Sequence, residues 1–307
     1  MKRRKMISSL SAGVLGKTLA LPAQAADKTF RLRYILSSAM YGGMPLASIL
    51  PEVAKAGCKA IDIWCRVHGN QREQIEFMGH PAAREIFDKH SVKPAVFTRY
   101  PLGPFGLREE MKKVKESFGA EIVVCGSTGP SEPSGKEAKK AVSAFLEKMK
   151  PHVAHAEEAG MTIAVENHGR QLLYHPDSLR YFAELNTSRN LGIAFAPHHL
   201  YKFANHVPSL IRELGDRNIP FMYFQEHSEG MYKKAAKKIE MQQLPGFGGG
   251  LDYKPVVKAL KDIGYSGYCE IFMHPVPRGI PILPTVVEIT AAINRSRSYV
   301  EECLGLV

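Results

Sequence analysis

The chain has 307 residues, 45% of them hydrophobic and 23% charged, with a formal net charge of +11. That length and apolar share exclude an intrinsically disordered chain and suit one large domain with a sizeable core. The five cysteines (Cys58, Cys65, Cys125, Cys269 and Cys303) are an odd number with no close spacing, which excludes a disulfide framework and a cysteine-based zinc site.

The N-terminus reads as a cleavable export signal. Lys2-Arg3-Arg4-Lys5 precedes a modest apolar stretch to Leu21 and then Ala23-Gln24-Ala25, the order of a secretory signal. The paired Arg3-Arg4 points to the twin-arginine route and a periplasmic destination. Lys17 interrupts the apolar part, which is too short and polar to span a membrane. Residues 1–25 are therefore expected to be removed, leaving 26–307 as the mature domain without stable membrane insertion. Their loss takes away Lys2, Arg3, Arg4, Lys5 and Lys17 and no acid, so the net charge falls from +11 to +6. The remaining excess is dispersed, and Lys233-Lys234-Ala235-Ala236-Lys237-Lys238 has the pattern of a solvated helix face. No aromatic residues interleave with a basic stripe, so a nucleic-acid partner is not expected.

Beyond the signal, eight short apolar runs read as strands: 31–38, 60–65, 93–98, 121–125, 162–166, 192–196, 220–225 and 267–273. Helical patterns lie between most of them. Over 45–56, Leu46, Ile49, Leu50 and Val53 share one face before Gly57. Over 136–158, Val142, Phe145, Leu146, Met149 and Val153 repeat at helical spacing before Gly160. Asp177 or Ser178 is expected to cap a helix through Leu185, and 252–263 to form another that ends at Gly264. Strand–helix alternation repeated eight times predicts an α/β fold, a single (β/α)8 TIM barrel.

The loops after the strands are rich in polar residues and glycine. Arg66-Val67-His68-Gly69 follows the second, Arg99-Tyr100-Pro101 the third and Asn167-His168-Gly169 the fifth. His198-His199 follows the sixth, Glu226-His227-Ser228 the seventh and His274-Pro275 the eighth. In a parallel barrel this end carries the active site. Two carboxylates stand out there: Glu166 ends Thr-Ile-Ala-Val-Glu and Glu270 follows Gly-Tyr-Cys. A carboxylate at the end of a buried strand is costly unless it meets a metal or another partner.

These residues carry a resemblance. Ala60-Ile61-Asp62-Ile63-Trp64, Ile163-Ala164-Val165-Glu166-Asn167-His168 and Pro245-Gly246-Phe247-Gly248-Gly249-Gly250-Leu251-Asp252-Tyr253 with Glu270 resemble the xylose-isomerase-like barrel superfamily. Its members include sugar isomerases and epimerases, inosose dehydratases and endonuclease IV. The resemblance spans roughly residues 30–305. It implies a divalent metal, manganese or magnesium ahead of zinc, held by Glu166 and Glu270, with His199 and Gln225 as supplements. It also implies that these glutamates are catalytic and that His168, His199, Trp64, Arg99, His227 and His274 bind substrate. The chain departs from the family pattern at two ligand positions, where Ala196 replaces an aspartate and Tyr223 a histidine.

The function so implied is a sugar isomerase or epimerase acting by proton abstraction next to a carbonyl, through an enediolate, on a keto-sugar or cyclic polyol. A 3-keto-glycoside lyase or hydratase would use the same site, and a non-catalytic sugar-binding relative would keep the pocket without the metal. The expected partner is a small carbohydrate, and a homo-oligomer is compatible with the sequence.

Overall fold

A computed structural model describes residues 30–305; the export signal read at 1–25 lies outside them. Eight strands form a closed, all-parallel barrel in the order β1 to β8. They are β1 (Arg33–Ser37), β2 (Ala60–Trp64), β3 (Lys93–Thr98), β4 (Ile122–Gly126), β5 (Thr162–Glu166), β6 (Leu191–Phe195), β7 (Phe221–Phe224) and β8 (Tyr268–Ile271). Each lies within a residue or two of its predicted run. The strands are almost wholly buried, because helices cover the outer face and side chains fill the interior.

The helices are α1 (Leu46–Lys55), α2 (Gln71–Met78), α3 (His80–Lys89), α4 (Arg108–Phe118), α5 (Gly135–Ala159), α6 (Pro176–Leu185), α7 (Val207–Asn218), α8 (Lys237–Met241), α9 (Tyr253–Asp262) and α10 (Val286–Gly305). In α1, Leu46, Ile49, Leu50 and Val53 are buried as their spacing predicts. Asp252 caps α9 by accepting from the Lys254 backbone N–H at 3.0 Å. The start of α6 differs from expectation. Pro176 occupies its first turn, so the cap falls two residues before Asp177, on His175, whose Nδ1 accepts from the Asp177 N–H at 3.2 Å.

No helix among the described residues is long and apolar enough to cross a membrane. All five cysteines are free and buried.

Candidate active site

β5 delivers Glu166 to the C-terminal end of the barrel, where its carboxylate is buried. Tyr100, just after β3, donates its hydroxyl to Glu166 Oε2 at 2.6 Å, and the Tyr223 hydroxyl lies 3.3 Å from that of Tyr100. His199 Nε2 approaches Glu166 Oε1 to 3.6 Å, longer than a hydrogen bond. The His168 ring lies tilted at 46° beside His199 with centroids 3.9 Å apart. His168 Nδ1 sits 2.7 Å from the Gly169 carbonyl. A carbonyl only accepts, so Nδ1 carries the proton and Nε2 keeps its lone pair for a ligand.

Among the described residues, Glu166, His168 and His199 form a group whose potential ligand atoms all lie within 4.8 Å of one another. One carboxylate and two imidazoles form a donor set used for zinc and for other divalent ions. Metal–ligand bonds of about 2.1 Å in a tetrahedral site put neighbouring ligand atoms about 3.4 Å apart. The 3.6 Å between Glu166 and His199 is close to that spacing, so the residues fit a divalent cation. Burial lowers the basicity of His199, which leaves a neutral ring able to ligate near pH 7. Burial opposes ionisation of Glu166, but His199, His168 and the Tyr100 hydroxyl together hold its carboxyl below the usual range.

Glu270, expected as the second ligand, stands outside this group and has different neighbours. Its burial is complete and neither carboxylate oxygen has a hydrogen-bond partner. Its surroundings are Asp62, Ser37 and Trp64. Asp62 lies on β2 and Glu270 on β8, with β1 between them, so their meeting places both inside the barrel. Burial drives both carboxyls upward, and for Glu270 the charge of Asp62 adds to it. Thr98 donates to Asp62 Oδ2 at 2.7 Å, while Asp62 Oδ1, Ser37 Oγ and Trp64 Nε1 are unpartnered. Tyr223 pairs with Glu270 in the β7–β8 register. Its phenol is held well above the usual value by burial, then by the charges of Glu166, Glu270 and Asp62. Tyr223 therefore feels both glutamates, whereas Tyr100 feels Glu166 and Tyr223.

The remaining expected residues separate into four groups. Trp64 and His274 border the mouth: Trp64 stacks on Phe272 at 4.8 Å, and the His274 ring lies 5.6 Å from His68 and 5.5 Å from Phe272. His227 lies further out, stacked on Tyr201 at 3.8 Å. Gln225 is fully buried and donates to Gln243 Oε1 at 2.9 Å, leaving its own oxygen without a partner. Arg99 turns elsewhere: its Nε lies 3.2 Å from Glu110 Oε1, in a cleft of about 310 Å³ lined also by Arg72, Glu73, Glu76 and Lys113.

The glycine-rich segment packs closely on its neighbours. A Cβ on Gly249 would fall 2.2 Å from the Gln242 carbonyl and 2.5 Å from Glu226 Oε2, and one on Gly246 would strike the Tyr299 ring. These two glycines let the loop pack on the protein itself. Sequence reading missed Asp62 and Tyr100. An acid inside the apolar run Ala-Ile-Asp-Ile-Trp was the available signal for Asp62; nothing local marks Tyr100.

The pattern of a family described as xylose isomerase-like TIM barrel matches residues 50–288. A solved structure of the IOLI protein with a bound zinc atom is similar at 17% identity and a TM-score of 0.69, covering 88% of this chain and 99% of that one. A D-psicose 3-epimerase solved in the presence of D-fructose matches at 13% identity and a TM-score of 0.64, covering 89% and 100%. A D-tagatose 3-epimerase-like protein matches at 20% and 0.61, covering 88% and 99%. At these identities the likeness shows the shared fold. No curated protein sequence matches.

Proposed function

The chain belongs to the xylose isomerase-like TIM barrel family, and we propose that it is an exported enzyme that enolises a keto-sugar or related polyol, as an isomerase, epimerase or lyase. The observation that carries this reading is the contrast between two buried carboxylates. Glu166 is held ionised beside two histidines, whereas Glu270 shares a buried pocket with Asp62 that favours the protonated form. Titratable groups pushed in opposite directions mark an acid and a base.

In this reading Glu166 anchors a divalent ion with His168 and His199, and bound there the ion would polarise a substrate carbonyl. The protein's own groups then handle the protons. A carboxylate takes the proton from the carbon next to the carbonyl, and the C–H electron pair moves toward the carbonyl oxygen. The proton held by the Asp62–Glu270 pair is returned to carbon on the other face or at the neighbouring position. Tyr100 and Tyr223 lie between the two carboxylates and can carry a hydrogen bond to the substrate oxygen. Trp64 and Phe272 supply an apolar wall.

Solvent-deuterium incorporation into ketoses, 3-keto-glycosides and inososes tests this, with and without added manganese. Wild type should exchange and Glu270→Gln should exchange about 10²–10⁴-fold more slowly, the usual cost of removing a positioned acid or base. Equal exchange by both proteins would remove Glu270 from the chemistry. Ala196 and Tyr223, standing at two ligand positions of the family pattern, favour a second reading, a sugar-binding relative without catalysis. Absence of exchange by wild type across the whole panel would select it.

A further inference from the structure

We propose that Tyr201, His227 and Tyr232 form a stacking platform for a second sugar ring, so that the substrate is a glycoside of at least two rings rather than a free monosaccharide. This rests on the sugar reading above and adds the class of sugar. Tyr201 follows β6 and Tyr232 follows β7, both at the end of the barrel that holds Glu166, and they are 43% and 58% exposed. His227 lies between them. Its ring is nearly parallel to Tyr201, at 3.8 Å and 15°, and 5.7 Å from Tyr232.

The platform is continuous with the inner site. The His198 ring lies 4.1 Å from His199, and His199 lies 3.9 Å from His168. His227 in turn sits against the His198 backbone. His198 and His199 are themselves buried, so this chain of packed rings fixes where the exposed platform sits relative to Glu166.

The platform is also held in place. Ser228 accepts from the Gly230 N–H and donates to the Ile239 carbonyl. Arg278 donates to the Met231 carbonyl at 2.6 Å and the Pro275 carbonyl at 2.7 Å, tying the loops after β7 and β8 together. Exposed aromatic rings on a pinned rim offer an apolar face at little ordering cost, which suits the C–H face of a pyranose whose hydroxyls remain in water.

Trp64, the single tryptophan, packs beside Tyr100, Phe272 and Glu270, so its fluorescence serves as the binding readout. The test titrates wild type, Tyr201→Ala, Tyr232→Ala, the double alanine variant and the double phenylalanine variant. The probes are glucose, fructose and 3-keto-glucose against sucrose, trehalose, lactose and cellobiose and their 3-keto forms. Both tyrosines are exposed, and circular-dichroism melts verify that each variant folds. At least one disaccharide should bind wild type about 10-fold more tightly than any monosaccharide, the scale of an aromatic contact. The double alanine variant should lose that advantage while keeping monosaccharide affinity, and the phenylalanine variant should keep it. Equal binding of both sugar classes, survival of the advantage in the double alanine variant, or no binding of any sugar would overturn the platform. Disaccharide binding without deuterium exchange would instead leave the platform standing and remove the enolising chemistry.

Discussion

At the scale of single residues, the site is defined by which partner each carboxylate has found. Glu166 has two histidines and a phenol, whereas Glu270 has another carboxyl and no hydrogen bond. If Glu166, His168 and His199 hold the ion, His168→Ala should lower manganese or zinc affinity by at least the 10–100-fold that loss of even an outer partner costs. Isothermal titration of metal-stripped protein measures this, with Gln225→Ala as the comparison expected to change little. Unchanged affinity in His168→Ala would return the ligand role to the strands. Glu166 and Glu270 were legible in the sequence because an acid at the end of an apolar run is conspicuous. That Glu270 would pair with Asp62 was not, because the contact joins strands more than two hundred residues apart. Tyr100 was hidden for the same reason, since its role depends on the distance from a loop after β3 to the end of β5.

At the scale of elements, the loop after β7 and the glycine-rich segment before α9 are joined through Glu226. Its carboxylate accepts from the Leu251 N–H at 3.0 Å, and Gly249 packs against it. Burial raises its pKa from 4.5 to about 7. The folded protein therefore binds this proton more tightly than the unfolded chain does. The associated stability is fully present below pH 4.5 and is lost as pH rises through about 7. The difference is worth at most about 3 kcal/mol. Thermal melts of wild type and Glu226→Gln at pH 5 and pH 8 should show a smaller loss between the two pH values in the variant. An equal loss in both would mean that the carboxyl titrates normally. The helix ends were legible where a side chain caps in the usual way, as Asp252 does. The cap of α6 was misplaced by at least two residues because His175 took it in place of Asp177 or Ser178.

At the scale of the whole molecule, the barrel could be read almost strand for strand because buried parallel strands are continuous apolar runs punctuated by polar loops. An N-terminal export signal would obey other rules, since export machinery and not packing would read it. If Arg3 and Arg4 specify the twin-arginine route, the double replacement Arg3→Lys, Arg4→Lys should leave full-length precursor in the cytoplasm, as immunoblots of fractionated cells would show. Normal processing would indicate the general secretory route.

Export would carry the chain from reducing to oxidising surroundings, and the five buried cysteines determine how it fares there. Burial pushes the Cys58 thiol up to about 12 and Cys65 to about 11, and raises Cys125, Cys269 and Cys303 as well. The thiolate is the form that oxidants and disulfides attack, and near neutral pH almost none of it exists here. The five buried thiols are therefore poorly reactive near neutral pH, whatever the redox poise of the surroundings.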